Sequence, residues 1–180
     1  MEEADFQKVL RTAAKGDRRA LAFLYAQYNR MLVRFLRAQA PSFGEDLAHE
    51  TWLSVAGELR RFQGDERAFR VLLLSEARRH AAAWKRSSAL ERTRPVAPSE
   101  LSVLTPAAIG DEPVADAAVA GLLHGLSPLH AEILLLRVVG GLSAEETGAI
   151  LGKSAGVVRV TQHRVLKQLA RRLSNGPVRR

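Results

Sequence analysis

The stretch from Leu126 to Leu173 alternates helix starts with glycine stops, which predicts three helices in quick succession. Ser127 is a favourable N-cap. Pro128 follows it at the first helical position, where proline is tolerated because the N–H that it lacks has no intrahelical partner. Gly140-Gly141 then ends this first helix. Its apolar side chains are Ile133, Leu134, Leu136 and Val138.

A short glycine-containing turn separates the second and third helices of this stretch. Ser143 and Glu146 have the spacing of a capping box, Gly152 ends the second helix, and Ser154 begins the third. Two helices joined in this way form a helix-turn-helix, whose second helix enters the DNA major groove. The side chains predicted to face inward are Thr147, Ile150, Leu151, Val158, Val165, Leu166 and Leu169.

The third helix carries five basic side chains and no carboxylate between Ser154 and Leu173. The dipole of a helix favours cations near its C-terminus, which would explain Arg171 and Arg172 but not Arg159 in the first turns. One-sided positive charge is typical of a phosphate-binding surface, so we expect this helix to bind DNA. The candidate DNA-contacting residues are Ser154, Ala155, Gly156, Arg159, Val160, Thr161, His163, Arg164 and Lys167.

Composition excludes several other classes of protein. No apolar run reaches the roughly twenty residues of a membrane span, and the N-terminus lacks the pattern of a signal peptide, so we expect a cytoplasmic protein without membrane insertion. Cysteine is absent, which excludes disulfides and thiolate metal sites. The five histidines are scattered, with neither metal-ligand spacing nor a carboxylate–histidine–serine arrangement. We therefore expect no enzyme activity, no metal and no cofactor.

Charge divides the chain into three blocks within a total of +8. Residues 1–94 carry +6, residues 95–125 carry −4 without any Lys or Arg, and residues 126–180 carry +6. The middle block is rich in proline and reads as an extended acidic linker. The predicted fold is therefore all-α, with two small helical domains, 1–94 and 126–180, joined by the linker 95–125. The acidic residues of this linker are Glu100, Asp111, Glu112 and Asp116.

Residues 1–94 contain four amphipathic helices, which indicates a compact bundle. Gly16 ends the first helix and Asp17 caps the second, while Ser42 and Glu45 have capping-box spacing at the start of the third. The third helix has an inner stripe of Leu47, Thr51, Val55 and Leu59. Its predicted outer surface carries Glu45, Asp46, His49 and Glu50.

The fourth helix, predicted from about Glu66 to Arg86, ends in a basic segment that contains an indole. Unpaired bases are bound by stacking on aromatic side chains beside a basic groove. The candidates for such binding are Arg78, Arg79, Trp84, Lys85 and Arg86, with core packing as the alternative for Trp84.

An acidic helix, a basic aromatic helix, an acidic linker and a terminal helix-turn-helix follow one another in this order. In this arrangement, and in the segments EDLAHETWLSVAGELRRFQGD and FRVLLLSEARRHAAAWKR, the chain resembles the small extracytoplasmic-function sigma factors of RNA polymerase, in the sigma-70 family. The sequence differs from the usual family pattern at Glu76, Arg79, Ala83 and Thr161.

The resemblance implies a role and partners for each part. Glu45, Asp46, His49 and Glu50 would dock on core polymerase, the Arg78–Arg86 segment would bind the minus-ten element, and the terminal domain would bind the minus-thirty-five element of promoter DNA. An anti-sigma factor is a further implied partner. The linker would lie in the RNA path of polymerase, or act as a plain tether. The alternative function is that of a conventional helix-turn-helix regulator, which binds duplex DNA unaided.

Overall fold

The computed structural model describes residues 3–92, 118–119 and 121–174, and these residues form helices and turns without any strand. The N-terminal helices are α1 (Glu3–Ala14), α2 (Arg18–Arg37), α3 (Gly44–Glu58) and α4 (Glu66–Arg92). The C-terminal helices are α5 (Pro128–Leu134), its π-helical continuation (Leu135–Val139), α6 (Ala144–Leu151) and α7 (Ala155–Ser174). The all-α prediction is confirmed, whereas the four acidic linker residues lie outside the described residues.

An aromatic cluster forms the centre of the N-terminal bundle. Phe6 of α1 and Tyr28 of α2 both meet Phe69 of α4 edge to face, with ring centroids 5.8 Å and 5.2 Å away. The Tyr28 hydroxyl donates a 2.9 Å hydrogen bond to Glu66, which also pairs with Arg70. Burial, followed by the neighbouring Glu66 carboxylate, raises the pKa of Tyr28. The cluster thus ties three helices together and keeps the phenol protonated.

The predicted capping box at the start of α3 is wrong. The N-cap is Phe43 and not Ser42, and it makes no side-chain capping bond. Residues 41–43 form a turn instead, in which the Phe43 N–H donates to the Ala40 carbonyl. Glu45 pairs with Arg37 of α2 rather than with the start of its own helix. A tertiary ion pair has therefore replaced the local cap.

The C-terminal helix starts are as predicted. The Ser127 side chain accepts from the His130 N–H, and Ser143 and Glu146 form the reciprocal capping box. The predicted apolar faces hold with two exceptions: Leu166 of α7 is exposed, and Val138 is 64% exposed. Val138 points outward because the chain from Leu135 to Val139 is π-helical, and the extra residue in each turn rotates the following side chains.

The two helical halves pack against each other through one continuous hydrophobic core. Leu135, Leu136 and Leu142 are buried in the same cluster as the core residues of α1 to α4. Gly140 lies directly against α4, since a Cβ on this glycine would come within 2.5 Å of the Leu74 side chain. The position of the domain boundaries stays a prediction, but in this arrangement the two halves share their apolar interior.

Candidate promoter and polymerase interfaces

Two glycines determine the connection between α6 and α7, one by its backbone conformation and the other by its small size. Gly152 adopts a left-handed conformation, with φ of +63°, which ends α6 as predicted. Gly148 allows close packing, because a Cβ there would lie 2.5 Å from the Lys153 carbonyl oxygen. The Ser154 hydroxyl accepts from the Val157 N–H at 3.3 Å and so caps α7. Together these contacts set the angle between the two helices of the helix-turn-helix.

The helix α7, predicted to contact DNA, has one buried and one exposed side. Val158, Val165 and Leu169 are buried beneath it. The outermost residues follow one another at helical spacing and are all exposed, with the side chain of Val160 half-exposed at 50%. These outermost residues are Gly156, Val160, His163 and Lys167. A small residue, an apolar residue and a cation on one line suit a surface that approaches DNA closely.

The other predicted contact residues flank this line. Arg159 is exposed and forms an ion pair with Glu145 in the first turn of α6. Arg164 is exposed on the opposite flank, whereas Ala155 and Thr161 are partly buried. Backbone bonding at the α6 N-terminus, followed by the nearby Arg159, lowers the pKa of Glu145. The carboxylate is therefore ionised at neutral pH, as its ion pair with Arg159 requires.

Arg137 and Arg172 hold α7 in place through contacts that were not predicted from the sequence. Arg137 donates from Nε to the Gln162 side chain at 2.8 Å and also bonds the Leu142 carbonyl. Arg172 donates to the His124 carbonyl at 2.8 Å and so connects the last turn of α7 to the segment before α5. The contacts of Arg137 with Gln162 and of Arg172 with His124 join residues distant in sequence, and no local pattern would have identified them.

An open basic cleft follows the second half of α7. It has a volume of about 610 Å³, and all of its lining side chains belong to the C-terminal half of α7. The lining residues are Arg164, Lys167, Gln168, Arg171 and Arg172. Clustered cations on one side of a recognition helix suit phosphate contacts beside the bases.

The predicted polymerase-docking residues lie on different sides of α3. Glu45 faces α2 and pairs with Arg37, whereas Glu50 faces α4 and pairs with His80 at 3.1 Å. Asp46 and His49 are exposed between them. Leu53, one turn further along, is 64% exposed and was not predicted. The outer surface of α3 therefore has an apolar centre with charged edges.

His80 of α4 contacts two side chains of α3, and neither contact was predicted from the sequence. Its Nδ1 lies 3.1 Å from Glu50 and its Nε2 lies 3.0 Å from the Ser54 hydroxyl. The order serine–histidine–carboxylate is that of a hydrolase triad. Ser54, however, lies within α3, where backbone N–H groups are bonded along the helix and cannot form an oxyanion hole. The contacts instead fix the position of α4 against α3.

The predicted minus-ten residues lie between the middle and the C-terminal part of α4, and most of them contact side chains from other parts of the fold. Arg78 donates to Glu132 of α5 at 3.2 Å, and the Trp84 ring packs on Phe43 at 5.4 Å. Lys85 donates to Gln39 in the turn after α2 at 2.9 Å, and desolvation lowers its pKa. Arg79 pairs with Glu76 on the same helix, and Arg86 is exposed.

Arg78 and Lys85 place the predicted minus-ten segment of α4 at the boundary between the two halves. Lys85 lines a cleft of about 260 Å³ together with Gln39 of the turn after α2 and Glu132 of α5. Arg78 pairs with Glu132 at the same boundary, so this arginine connects the two halves of the molecule.

The described residues were also compared with the requirements of metal sites and membrane spans. Within residues 3–92 and 121–174, no three His, Asp or Glu side chains are grouped to hold a metal ion. Among the helices described above, none is both long and apolar enough to cross a membrane.

Comparison with known protein families and sequences gives consistent matches. Residues 122–171 match the family described as sigma-70, region 4. The chain is 35% identical to the ECF RNA polymerase sigma factor ShbA of Streptomyces griseus, over 87% of this chain and 89% of ShbA. It is 33% identical to the ECF RNA polymerase sigma factor SigD of Mycobacterium tuberculosis, over 94% of this chain and 84% of SigD.

Solved structures share the fold at lower identity. CnrH, solved in complex with the cytosolic domain of CnrY, aligns with a TM-score of 0.68 at 22% identity, over 94% of this chain and 97% of CnrH. The sigma factor RpoE of Bartonella quintana, solved with the anti-sigma factor NepR, aligns with a TM-score of 0.59 at 20% identity. That alignment covers 86% of this chain and 98% of RpoE.

Proposed function

The chain belongs to the ECF sigma factors of RNA polymerase, and we propose from this that it binds core polymerase and directs it to promoters. In this proposal α3 docks on polymerase, the second half of α4 binds the minus-ten element, and α7 binds the minus-thirty-five element. The protein acts by binding and not by catalysis, in the cytoplasm, where polymerase transcribes. An anti-sigma factor is its proposed regulator, by analogy with the complex of RpoE.

The observation that carries this proposal is the exposed outer line of α7. Gly156, Val160 and His163 face outward on a helix whose angle is set by a packed glycine turn. Arg164 and Lys167 continue this side into the basic cleft. A helix-turn-helix of this form places base-contacting residues in the first turns and phosphate-contacting residues beside them.

The packed arrangement of the two halves bears on how a promoter is bound. Two elements centred near minus ten and minus thirty-five are separated by roughly 85 Å of duplex, at about 3.4 Å per base pair. A compact chain of this length has a diameter of only about 40 Å. Binding both elements therefore requires that the C-terminal half separates from α2 and α4.

The chain is long enough for this separation. The 25 residues between Arg92 and Ala118 could reach at most roughly 80–90 Å if fully extended. Each buried leucine of the shared core contributes about 1.5–3 kcal/mol relative to exposure. Contacts with polymerase would have to offset the loss of Leu135, Leu136 and Leu142 from that core.

The experiment that tests the function compares Arg159→Ala with Lys167→Ala in reconstituted holoenzyme. Binding to a promoter library with a randomised minus-thirty-five region is measured at several salt concentrations. Arginine can bridge O6 and N7 of guanine, so Arg159→Ala is expected to lose ~1–3 kcal/mol and to relax preference at one position. Lys167→Ala is expected to weaken all sequences alike and to lower the salt slope by about one unit.

Each other outcome identifies a different error. If Arg159→Ala weakened every sequence equally, Arg159 would be a phosphate contact and not a base contact. If neither substitution changed promoter binding, α7 would not be the recognition helix. If the chain alone bound its duplex as selectively as the holoenzyme does, it would act as a conventional regulator.

A further inference from the structure

An ion pair connects the two helices of the helix-turn-helix at their exposed edge. Arg159 lies one turn into α7 and Glu145 lies in the first turn of α6, and their side chains meet through Arg159 Nη2 and Glu145 Oε1. Both side chains are mostly exposed. A solvated pair of this kind contributes little to stability, so its contribution to folding does not explain it.

The pair leaves most of the guanidinium available. Arginine has five N–H donors, and Glu145 accepts from Nη2. Bridging the two acceptors of guanine needs two of the remaining donors. One guanidinium can therefore contact a base and a carboxylate together, and the carboxylate then restricts the rotation of the guanidinium plane.

Glu145 is well placed to hold this orientation. It belongs to a helix whose start is fixed by the Ser143–Glu146 capping box, and α6 is packed tightly on the turn that leads into α7. Between Ser154 and Leu173, α7 has no carboxylate of its own. The lowered pKa of Glu145 keeps the group ionised.

We propose that Glu145 is a positioning residue for promoter recognition, which holds the Arg159 guanidinium in the orientation that bridges a guanine of the minus-thirty-five element. This inference rests on the proposed function. It adds that selectivity at this base depends on a carboxylate that itself repels DNA phosphates. Glu145 thus strengthens discrimination and weakens binding to DNA of arbitrary sequence.

The test uses holoenzymes with Glu145→Gln, Glu145→Asp, Arg159→Ala, or Glu145→Gln together with Arg159→Ala. Binding is measured against the same randomised minus-thirty-five library and against one duplex without a promoter. Glu145→Gln is expected to lower the preference for the guanine by roughly three- to tenfold and to raise affinity for the duplex without a promoter.

Glu145→Asp distinguishes the effect of the negative charge from that of side-chain length, because it keeps the carboxylate on a side chain one methylene shorter. It is expected to lose preference for the guanine without the gain in non-specific affinity. In the Arg159→Ala background, Glu145→Gln is expected to leave preference at that position unchanged, since the group that it orients is gone.

Two results would overturn the proposal. If Glu145→Gln raised affinity for all sequences and kept the preference, Glu145 would only compete with DNA for Arg159. If it lowered affinity for all sequences along with the melting temperature, the pair would be structural. Failure of the proposed function would look different, because the wild-type holoenzyme would then select no sequence at all.

Discussion

Gly140 is a residue at which the two halves of the molecule are closely packed. A Cβ there would lie 2.5 Å from Leu74 Cδ1 and 2.7 Å from the Leu136 carbonyl oxygen. The leucine methyl group can move, but the carbonyl is part of the π-helical backbone. The backbone angles themselves suit any residue, with φ of −75°. Glycine is therefore required here for space and not for conformation.

The substitution Gly140→Ala is expected to destabilise the protein by about 1–3 kcal/mol, the usual cost of overpacking a core. The measurement is the free energy of unfolding in urea. Gly57→Ala is the matched control, because Gly57 lies within α3 and a Cβ there would meet no atom within 4 Å. This control is expected to be neutral or more stable by up to about 1 kcal/mol. Equal effects of the two substitutions would contradict the close approach to Leu74.

At the scale of the element, α3 shows how neighbouring helices select the residues left for a partner. Glu45 is engaged by Arg37 of α2, and Glu50 by His80 of α4. The surface that remains free of such contacts is centred on Asp46 and Leu53. An apolar side chain with charged neighbours suits the centre of a protein interface.

Charge reversal at Asp46 is expected to weaken binding to core polymerase and to leave folding intact, because exposed charges contribute little to stability. Competition for core polymerase against a labelled wild-type chain measures the first effect, and thermal melting measures the second. Glu58→Lys is the control, since Glu58 is exposed on the same helix but on the side that faces α4. The docking assignment fails if Asp46→Lys competes as well as wild type, or no worse than Glu58→Lys.

At the scale of the whole molecule, the packing of the two halves predicts a large change in shape. Leu135, Leu136 and Leu142 are buried against the N-terminal bundle, and Arg78 pairs with Glu132 across the boundary. Neither contact can persist when α4 and α7 bind promoter elements that are roughly 85 Å apart. We therefore expect the packed form to be that of the free protein.

This change can be followed by energy transfer between two dyes. The chain contains no cysteine, so Gln63→Cys and Ala149→Cys provide unique labelling sites on exposed positions of the two halves. We expect high transfer in the free protein, and a loss of transfer in holoenzyme bound to promoter DNA. A Glu132→Arg variant, in which the pair with Arg78 becomes a repulsion, is expected to show lower transfer already when free. Unchanged transfer on promoter binding would contradict separation of the halves.

The sequence by itself determined the helices and the helix-turn-helix. Caps and stops such as Asp17, Ser127, Gly152 and the Ser143–Glu146 box act within one turn of chain, so their outcome depends on local sequence alone. Helical periodicity likewise identified most of the buried side chains. The sequence also identified α7 as a basic helix, although the roles of its residues stay predictions.

Only the tertiary structure decided where the side chains between helices go. Glu45 pairs with Arg37 instead of forming the predicted capping box. Val138 faces outward in a π-helix that the local sequence does not predict. The contacts of His80 with Glu50 and of Arg159 with Glu145 join positions on separate helices. The shared core of the two halves arises in the same way. Each of these contacts depends on how helices distant in sequence are packed, and helical periodicity describes one helix at a time.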